Sequence, residues 1–433
     1  MEEDREFIKE DKDAKKSKEK KKEDKQFPLR TYKSDHELTT HVKEFLIEYD
    51  FIVLMTLISI MTFITSQIFK IFAPNDINSN FLYYSLTILL IITIYYIIKQ
   101  NTWPLEFSDE NKILIMFGFK AFILSYMILG YFTEYFDFKI EEGIEELQGR
   151  TDQILKLAGM RYLYNPDSFY IAISVWASLL SITVVHLAIK FAYNFFFINK
   201  THENPEEEDE EIAKKVNTYR ILMTINFFIP LIAIFSFIPA LSRSFVVPNL
   251  MTDIVFDITR MTVLIAILIL KLSIFSFELQ FNFNEGYFYV QSLLKNKSEK
   301  LFNYITLKMK LKFINTWITC FQYTAIIVIP LLFTLLYIHK YFEAMRNPNI
   351  VEYDFVDFKA TLPKSEFVEN VEPTASITDR NYLVAVVKQI SSKGFIPSRL
   401  EAAILSYLLF SFYLSWFIVS TVGLVYYRKY KAV

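Results

Sequence analysis

Four charged side chains stand inside a long apolar run, where their types and spacing could support ion or proton movement. They are Asp257, Arg260, Lys271 and Glu278, in the stretch from Asp253 to Gln280. At about 100° per residue, positions 260, 271 and 278 fall on one side of a helix, and Asp257 lies one turn before Arg260. A charge near the bilayer centre costs at least about 2.5 kcal/mol on insertion scales. This face must therefore meet protein, water or an opposite charge rather than lipid.

Two interpretations of this charged face compete. In the first, Asp257 and Arg260 form an i, i+3 ion pair that fixes helix packing, Lys271 extends toward the membrane surface, and Glu278 is solvated near the cytosolic boundary. In the second, the face lines a polar cavity that an ion or proton crosses. We favour the first, because buried pairs often serve packing specificity and one charged helix does not make a pathway.

Polar residues in other apolar stretches are candidate partners for these charges. His186, Lys190 and Asn194 recur at four-residue intervals, which places them in a stripe along one side of a helix. The predicted intramembrane polar core consists of Asp257, Arg260, Lys271, His186, Lys190, Asn226 and Gln322.

Motifs for catalysis, cofactors and metals are missing from the sequence. It has no Gly-x-Ser-x-Gly, no His-Glu-x-x-His and no glycine-rich phosphate loop, and it contains only 8 glycines. The five histidines are scattered, and the single cysteine, Cys320, excludes an intrachain disulfide. We therefore predict that the protein is not an enzyme and binds no cofactor or metal; a lipid-modifying enzyme built from ordinary side chains is the remaining alternative.

The composition is typical of a polytopic membrane protein. Of the 433 residues 53% are hydrophobic and 17% aromatic, with a mean hydropathy of +0.26. The formal net charge of -2 gives no net attraction to nucleic acid, so we expect the lipid bilayer and no nucleic acid as a partner.

Eight apolar stretches approach or exceed the roughly 20 residues that a helix needs to cross the hydrocarbon layer. They lie near 50–72, 81–99, 112–133, 168–197, 219–240, 254–278, 313–341 and 401–427. We predict an all-α polytopic bundle over residues 46–433, in which the fourth, fifth and seventh stretches shelter the charged sixth. Residues 1–45, rich in Lys, Glu and Asp, are predicted to form a disordered mixed-charge cytosolic tail.

The connecting segments predict the orientation and one surface helix. Lysines and arginines lie in 99–112, 198–220, 279–312 and at the C-terminus, whereas 73–80 has none, so both termini are expected in the cytosol. The segment 134–167 is then lumenal or extracellular, like 342–400. Within it, the apolar spacing of 139–158 indicates an amphipathic helix on the bundle or at the membrane interface.

Several of these motifs together resemble the transmembrane protein 161 family, eukaryotic multi-pass membrane proteins. The sixth stretch, VFDITRMTVLIAILILKL, is similar to the corresponding family helix, with Lys271 where the family has Arg. The resemblance extends over residues 40–433, but family members begin with an extra apolar helix where this chain has its charged tail. It also includes the run INFFIPL and these positions: Phe256, Asp257, Arg260, Asn226, Pro230, Gln322, Tyr323, Tyr135, Asp137, Phe138, Glu141, Gly143, Pro397, Arg399, Gly423 and Tyr426.

The resemblance implies an integral protein of the endomembrane or plasma membrane that influences cation currents, excitability and, in one branch, tolerance to oxidative stress. It implies membrane proteins or ion channels as partners and brings no enzymatic activity. The expected function is therefore non-enzymatic regulation of ion handling. The alternative is a transporter or channel for an ion or small solute, with the polar core on the sixth helix.

The predicted orientation can be tested through the two glycosylation sequons, at Asn199 and Asn296. Both lie in segments assigned to the cytosol, so we expect the wild-type protein from eukaryotic cells to show no mobility change on treatment with a glycosidase. A Val351→Thr variant, which creates a sequon at Asn349 in the predicted exoplasmic segment, should be glycosylated. Glycosylation of Asn199 or Asn296 would contradict the orientation.

Overall fold

The computed structural model describes residues 36–72, 79–102, 109–157, 166–201, 210–239, 252–294, 301–346 and 396–430. The chain divides into a unit Met1–Glu48 and a second, compact unit Tyr49–Val433, which holds the helix bundle. Of the predicted tail 1–45, residues 1–35 lie outside the described residues. Residues 36–45 are helical in their backbone, so the first helix begins earlier than the sequence indicates.

All regular structure in the described residues is helical, with no strand among them. The helices are α1 His36–Phe72, α2 Ser79–Thr102, α3 Asp109–Tyr131, α4 Ile140–Leu157, α5 Pro166–Thr201, α6 Glu210–Phe235, α7 Asp253–Leu294, α8 Leu301–Arg346 and α9 Ser398–Tyr430. A short 3₁₀ turn, Thr133–Tyr135, follows α3. The chain is thus an all-α polytopic helix bundle, as its composition and apolar stretches predict.

Seven helices in the described part of the chain are long and apolar enough to cross a membrane, namely α1, α3 and α5 to α9. The predicted stretch 81–99 lies in α2, whose described apolar part, Ser85–Tyr96, is shorter than a full span. On the outside of the bundle, apolar side chains such as Leu54, Phe119 and Ile269 are more than half exposed. Such exteriors suit contact with lipid tails.

Helix α9 lies at the centre of the bundle and packs against α5, α8, α6 and α4. Its aromatic residues Tyr407, Phe410, Phe412, Tyr413 and Trp416 are buried. The Ser181 hydroxyl of α5 lies 2.7 Å from the Ser415 hydroxyl of α9, and the Tyr193 and Tyr427 rings lie 5.4 Å apart. Because the residue numbers rise together in these two contacts, α5 and α9 run parallel. A Cβ added to Gly423 would lie 2.8 Å from the Ala192 Cβ, so the glycine permits the close approach of these two helices.

The charged helix α7 packs mainly against α6 and α8, as predicted for the fifth and seventh stretches. The prediction that the fourth stretch, α5, also shelters it is not supported, because α5 packs mainly against α9 and α3. The Trp416 ring of α9 contacts the Phe191 ring of α5 at 5.6 Å and the Lys271 ammonium of α7 at 4.1 Å. The central helix therefore supplies the third wall around the charged face.

Helix α4 confirms the predicted amphipathic helix and lies on the bundle, against α9. It buries Ile140, Ile144 and Leu147. A Cβ added to Gly143 would lie only 2.7 Å from the Leu400 Cα, so the two helix backbones approach closely at this glycine. This contact fixes the start of α4 over one end of α9.

Candidate functional site

The guanidinium of Arg260 is a buried charge with several polar partners. Its Nη2 lies 2.7 Å from the Asp137 Oδ2 and its Nη1 lies 3.1 Å from the Asp257 Oδ1. Its Nε donates to the Ser236 carbonyl at 2.9 Å. The rings of Phe237 and Phe256 flank it, at 5.0 and 5.3 Å from the guanidinium carbon. Arg260 is 3% exposed, so hydrogen bonds to charged and polar oxygens replace the water that it has lost.

The carboxylate of Asp257 is satisfied from both sides. One oxygen pairs with Arg260, and the other accepts bonds from the Lys139 ammonium at 3.1 Å and the Tyr341 hydroxyl at 2.8 Å. We call Asp137, Lys139, Asp257, Arg260 and Tyr341 the Arg260 cluster. It contains two acids and two bases, so its formal charges cancel.

Two members of the Arg260 cluster come from the connection between α3 and α4, residues 132–139. The backbone N–H of Asp137 donates to the Phe237 carbonyl at 2.9 Å, which docks this segment on the end of α6. The Phe138 ring packs among aromatic rings of the core at centroid distances of 5.1 to 5.6 Å, from Phe136, Phe237, Tyr407 and Phe410. The segment is therefore a docked part of the bundle rather than a solvated loop.

Lys139 occupies a left-handed backbone conformation, with a φ of 57°. For a residue other than glycine this conformation costs on the order of 1 kcal/mol, and it needs support from its surroundings. The ion pair with Asp257 and the start of α4 at Ile140 provide that support.

A cavity of about 420 Å³ adjoins the Arg260 cluster. Its walls come from the 137–142 segment and from one stripe each of α7, α8 and α9. The charged residues that line it are Asp137, Glu142, Asp253, Asp257, Lys139, Arg260 and Arg399. Its volume lies within the roughly 300–1,000 Å³ typical of small-molecule sites.

A second buried group lies farther along α7, and we call Asn226, Lys271, Glu278 and Trp416 the Lys271 cluster. The Lys271 ammonium lies over the Trp416 ring, and the Glu278 Oε1 accepts a bond from the Asn226 amide at 3.0 Å. Lys271 and Glu278 are only 6% and 5% exposed. The expectations that Lys271 reaches the surface and that Glu278 is solvated are therefore wrong, because Trp416 of α9 covers the ammonium and Asn226 of α6 bonds the carboxylate inside the bundle.

The structure brings only some of the predicted core residues together. Asp257 contacts Arg260, and Asn226 bonds to the helix that carries Lys271. Gln322 is buried on α8. Tyr341 bonds to Asp257, and Tyr337, one turn earlier, bonds to Arg260. Helices α7 and α8 therefore run antiparallel, and Gln322 lies at about the level of Lys271 and Glu278. Lys271 and Glu278 are eleven or more positions from Arg260 on α7, roughly 16 Å or more along the helix axis. Gln322 is therefore also far from Arg260.

The predicted polar stripe on α5 does not face the charged helix as a unit. His186 is exposed and Lys190 is half-buried, so His186 lies outside the buried clusters. Asn194 is fully buried, and neither of its amide atoms has a hydrogen-bond partner among the described residues. At about 100° per residue, each step of four residues drifts by about 40° around the helix. The three residues therefore do not all point into the core.

Several site residues could not be selected from sequence patterns. Asp137 and Lys139 contact residues more than a hundred positions away, and such pairs have no spacing rule. Besides the family resemblance, which includes Asp137, a local signal is the alternation of aromatic and charged residues in Tyr-Phe-Asp-Phe-Lys directly after a span. Trp416 carries no sequence mark of its contact with Lys271.

The chemistry available at the two clusters is charge pairing and polar binding. Among the described residues, no group of three His, Cys, Asp or Glu side chains is placed to hold a metal ion. The Arg260 cluster is internally bonded, as a structural network would be. The Lys271 cluster keeps buried polar atoms without a hydrogen-bond partner in the described structure, the Asn226 Oδ1 and the Trp416 Nε1.

Comparison with known proteins identifies a protein family. The family model described as predicted transmembrane protein 161AB matches residues 2–431 of the chain. No curated protein and no solved structure matches it.

The pairing of Arg260 with Asp137 predicts strong energetic coupling. We expect Asp137→Asn and Arg260→Gln each to lower the free energy of unfolding, Arg260→Gln by about 3–5 kcal/mol, because it removes the cation shared by the buried Asp257 and the partly buried Asp137. The double variant should lose less than the sum, with a coupling of about 1–3 kcal/mol in denaturant titrations in mixed micelles.

A control cycle combines Asp137→Asn with Arg428→Gln, which removes an exposed arginine near the far end of α9. Its effects should add to within about 0.5 kcal/mol. Additive effects of Asp137→Asn and Arg260→Gln would contradict the proposed coupling.

Proposed function

The chain belongs to the predicted transmembrane protein 161AB family and is an integral, multi-pass membrane protein; from this premise we propose that it is a non-enzymatic regulator of ion handling, membrane excitability and the stress response. The observation that supports a regulator best is the bonding of Arg260. Three of its nitrogens contact Asp137, Asp257 and the Ser236 carbonyl. The charge that most suggests ion movement is thus committed to holding the bundle together.

A conduction pathway needs binding that is weak enough for an ion to leave again. An ion passing Arg260 would have to separate it from two carboxylates, and it would also have to displace Lys139 and Tyr341 from Asp257. Separating a buried pair costs several kcal/mol. We infer that the Arg260 cluster is a structural network that holds the helices together and blocks ion passage at this level. Effects on ion currents are then exerted through partner proteins.

The outer face of α3 supports a membrane protein as partner. Lys120 is exposed eight residues into the span Lys112–Tyr131, beside the exposed apolar side chains of Met116 and Phe119. A lysine that faces lipid at this depth is costly. A carboxylate or amide on a partner helix would remove that cost.

The orientation that we propose places both termini in the cytosol, in an endomembrane or the plasma membrane. It needs an even number of crossings, so it takes the 24-residue helix α2, Ser79–Thr102, as an eighth span beside the seven helices named above. Basic connecting segments support this orientation, and the positions of the Arg260 cluster along their helices are consistent with it. Asp137 follows α3, Asp257 lies in the first turns of α7, and Tyr341 lies near the end of α8. Helices that cross in alternation place these three positions on one side of the membrane, which would be the lumenal or extracellular side.

The second candidate is a transporter or channel for an ion or small solute, and the Lys271 cluster favours it. Lys271, Glu278 and Asn226 are buried within the bundle. Asn194, Trp416 and Ser420 also have buried polar atoms without a partner among the described residues. Polar atoms of this kind are commonly satisfied by water or a bound solute.

Ion flux through sealed liposomes separates the two candidates. We expect purified wild-type protein to give no flux above empty liposomes under sodium, potassium, chloride or proton gradients. Cells that lack the protein should show altered currents, and both wild type and a Lys271→Met/Glu278→Gln variant should restore them. This pair of changes removes both buried charges while keeping volume, which is often tolerated in a folded protein.

The opposite result would support the transporter. Wild-type flux that is lost or changes ion preference in folded Lys271→Met/Glu278→Gln protein would make the Lys271 cluster a pathway and refute the regulator. In the cell assay, Lys120→Glu tests the partner surface, and we expect it to fail to restore the currents although it folds normally.

A further inference from the structure

The cavity beside the Arg260 cluster opens at the ends of three membrane spans. Asp253 is the first residue of the span Asp253–Leu279, and Met345 is the last of the span Gln322–Met345. Arg399 is the second residue of the span Ser398–Lys429. Because all three line the cavity, its mouth lies at the level where spans leave the hydrocarbon and lipid headgroups begin.

The cavity also reaches inward from that level. Asp253, Asp257 and Arg260 form one stripe of α7, and seven residues of helix separate its ends, about 10 Å. The polar headgroup layer of each leaflet is roughly 5–8 Å thick. A ligand that fills the cavity would therefore extend from the headgroup layer to the edge of the hydrocarbon.

Both signs of charge are exposed at the mouth. Deeper in the cavity, Arg260 and Asp257 are committed to their buried pairs. Nearer the surface, Glu142, Asp253 and Arg399 have exposed side chains. A guanidinium suits a phosphate, and two carboxylates together with nearby aromatic rings suit an ammonium group.

The remaining walls are apolar and leave space. Ala402 and Ala403 lie one turn after Arg399 on α9, and their short side chains leave room beside it. Ile254 and Met345 give apolar surface from α7 and α8. A headgroup that continues into glycerol and acyl chains would find polar partners at the mouth and apolar ones beside it.

We propose that this cavity binds the headgroup of a zwitterionic phospholipid, with its phosphate at Arg399 and its ammonium at Asp253 and Glu142. An anionic phospholipid fits less well, because four acidic and three basic side chains line the cavity. The bound lipid would connect the first turns of α4, α7 and α9 and so hold together the elements that surround Arg260. The proposal does not depend on whether the protein regulates or transports ions.

The test is lipid binding to purified, delipidated full-length protein in maltoside detergent, counted by native mass spectrometry. Phosphatidylcholine and phosphatidylglycerol with the same acyl chains are titrated separately. We expect the wild type to bind phosphatidylcholine several-fold more tightly. Arg399→Gln and Asp253→Asn should each weaken that binding by about tenfold, because each removes one charged hydrogen-bond partner.

Two further variants sharpen the test. Arg428→Gln removes an exposed arginine near the opposite end of α9 and should leave phosphatidylcholine binding unchanged. Asp253→Arg makes the mouth positive and should reverse the preference toward phosphatidylglycerol. Since these side chains are exposed, all variants should melt at the wild-type temperature, which is measured in parallel.

Three results would overturn the proposal. One is equal binding of the two lipids by wild type, and another is unchanged phosphatidylcholine binding in both Arg399→Gln and Asp253→Asn. The third is displacement of the lipid by water-soluble glycerophosphocholine at equal concentration, which would assign the cavity to a soluble phosphodiester. None of these outcomes affects the liposome flux experiment.

Discussion

Arg260 is a permanent positive charge in a bilayer span, where an unpaired charge costs several kcal/mol. The structure around Arg260 offsets this cost by pairing the charge. An arginine inside a span needs partners that replace water, and here they come from three places in the chain. Asp257 lies on the same helix, the Ser236 carbonyl directly follows α6, and Asp137 lies beyond α3. The neutral network therefore fixes the docking of the 132–139 segment, the start of α4 and the cavity between α7, α8 and α9.

The two polar clusters of α7 stabilise buried charges in different ways. At Arg260, opposite charges meet directly and satisfy one another. In the Lys271 cluster, the Trp416 ring lies over the ammonium and the Asn226 amide donates to the Glu278 carboxylate. The Asn226 Oδ1 and the Trp416 Nε1 are buried and have no hydrogen-bond partner in the described structure. The first arrangement suits a fixed support. The second arrangement leaves buried polar atoms unpaired in the described structure, so a change in hydration or charge there should alter the structure most.

The sequence predicts the helices and the charged face of α7 because both follow from periodicity and from the cost of charge in lipid. The same holds for the amphipathic helix α4. It does not predict that Asp137 pairs with Arg260, since contacts 123 positions apart depend on how helices pack. For the same reason α9, rather than α5, stands next to Lys271, and His186 faces outward although its spacing matches that of Asn194.

The central claim, that Arg260 holds the 132–139 segment on the bundle, is tested most directly by hydrogen–deuterium exchange in lipid nanodiscs. In Arg260→Gln, the amides of residues 137–143 should exchange about tenfold faster or more than in wild type, because the docked segment opens more often. The core of α9 and an Arg428→Gln control should keep wild-type protection. Unchanged exchange of residues 137–143 in Arg260→Gln would show that the segment docks without this charge, and would contradict the account.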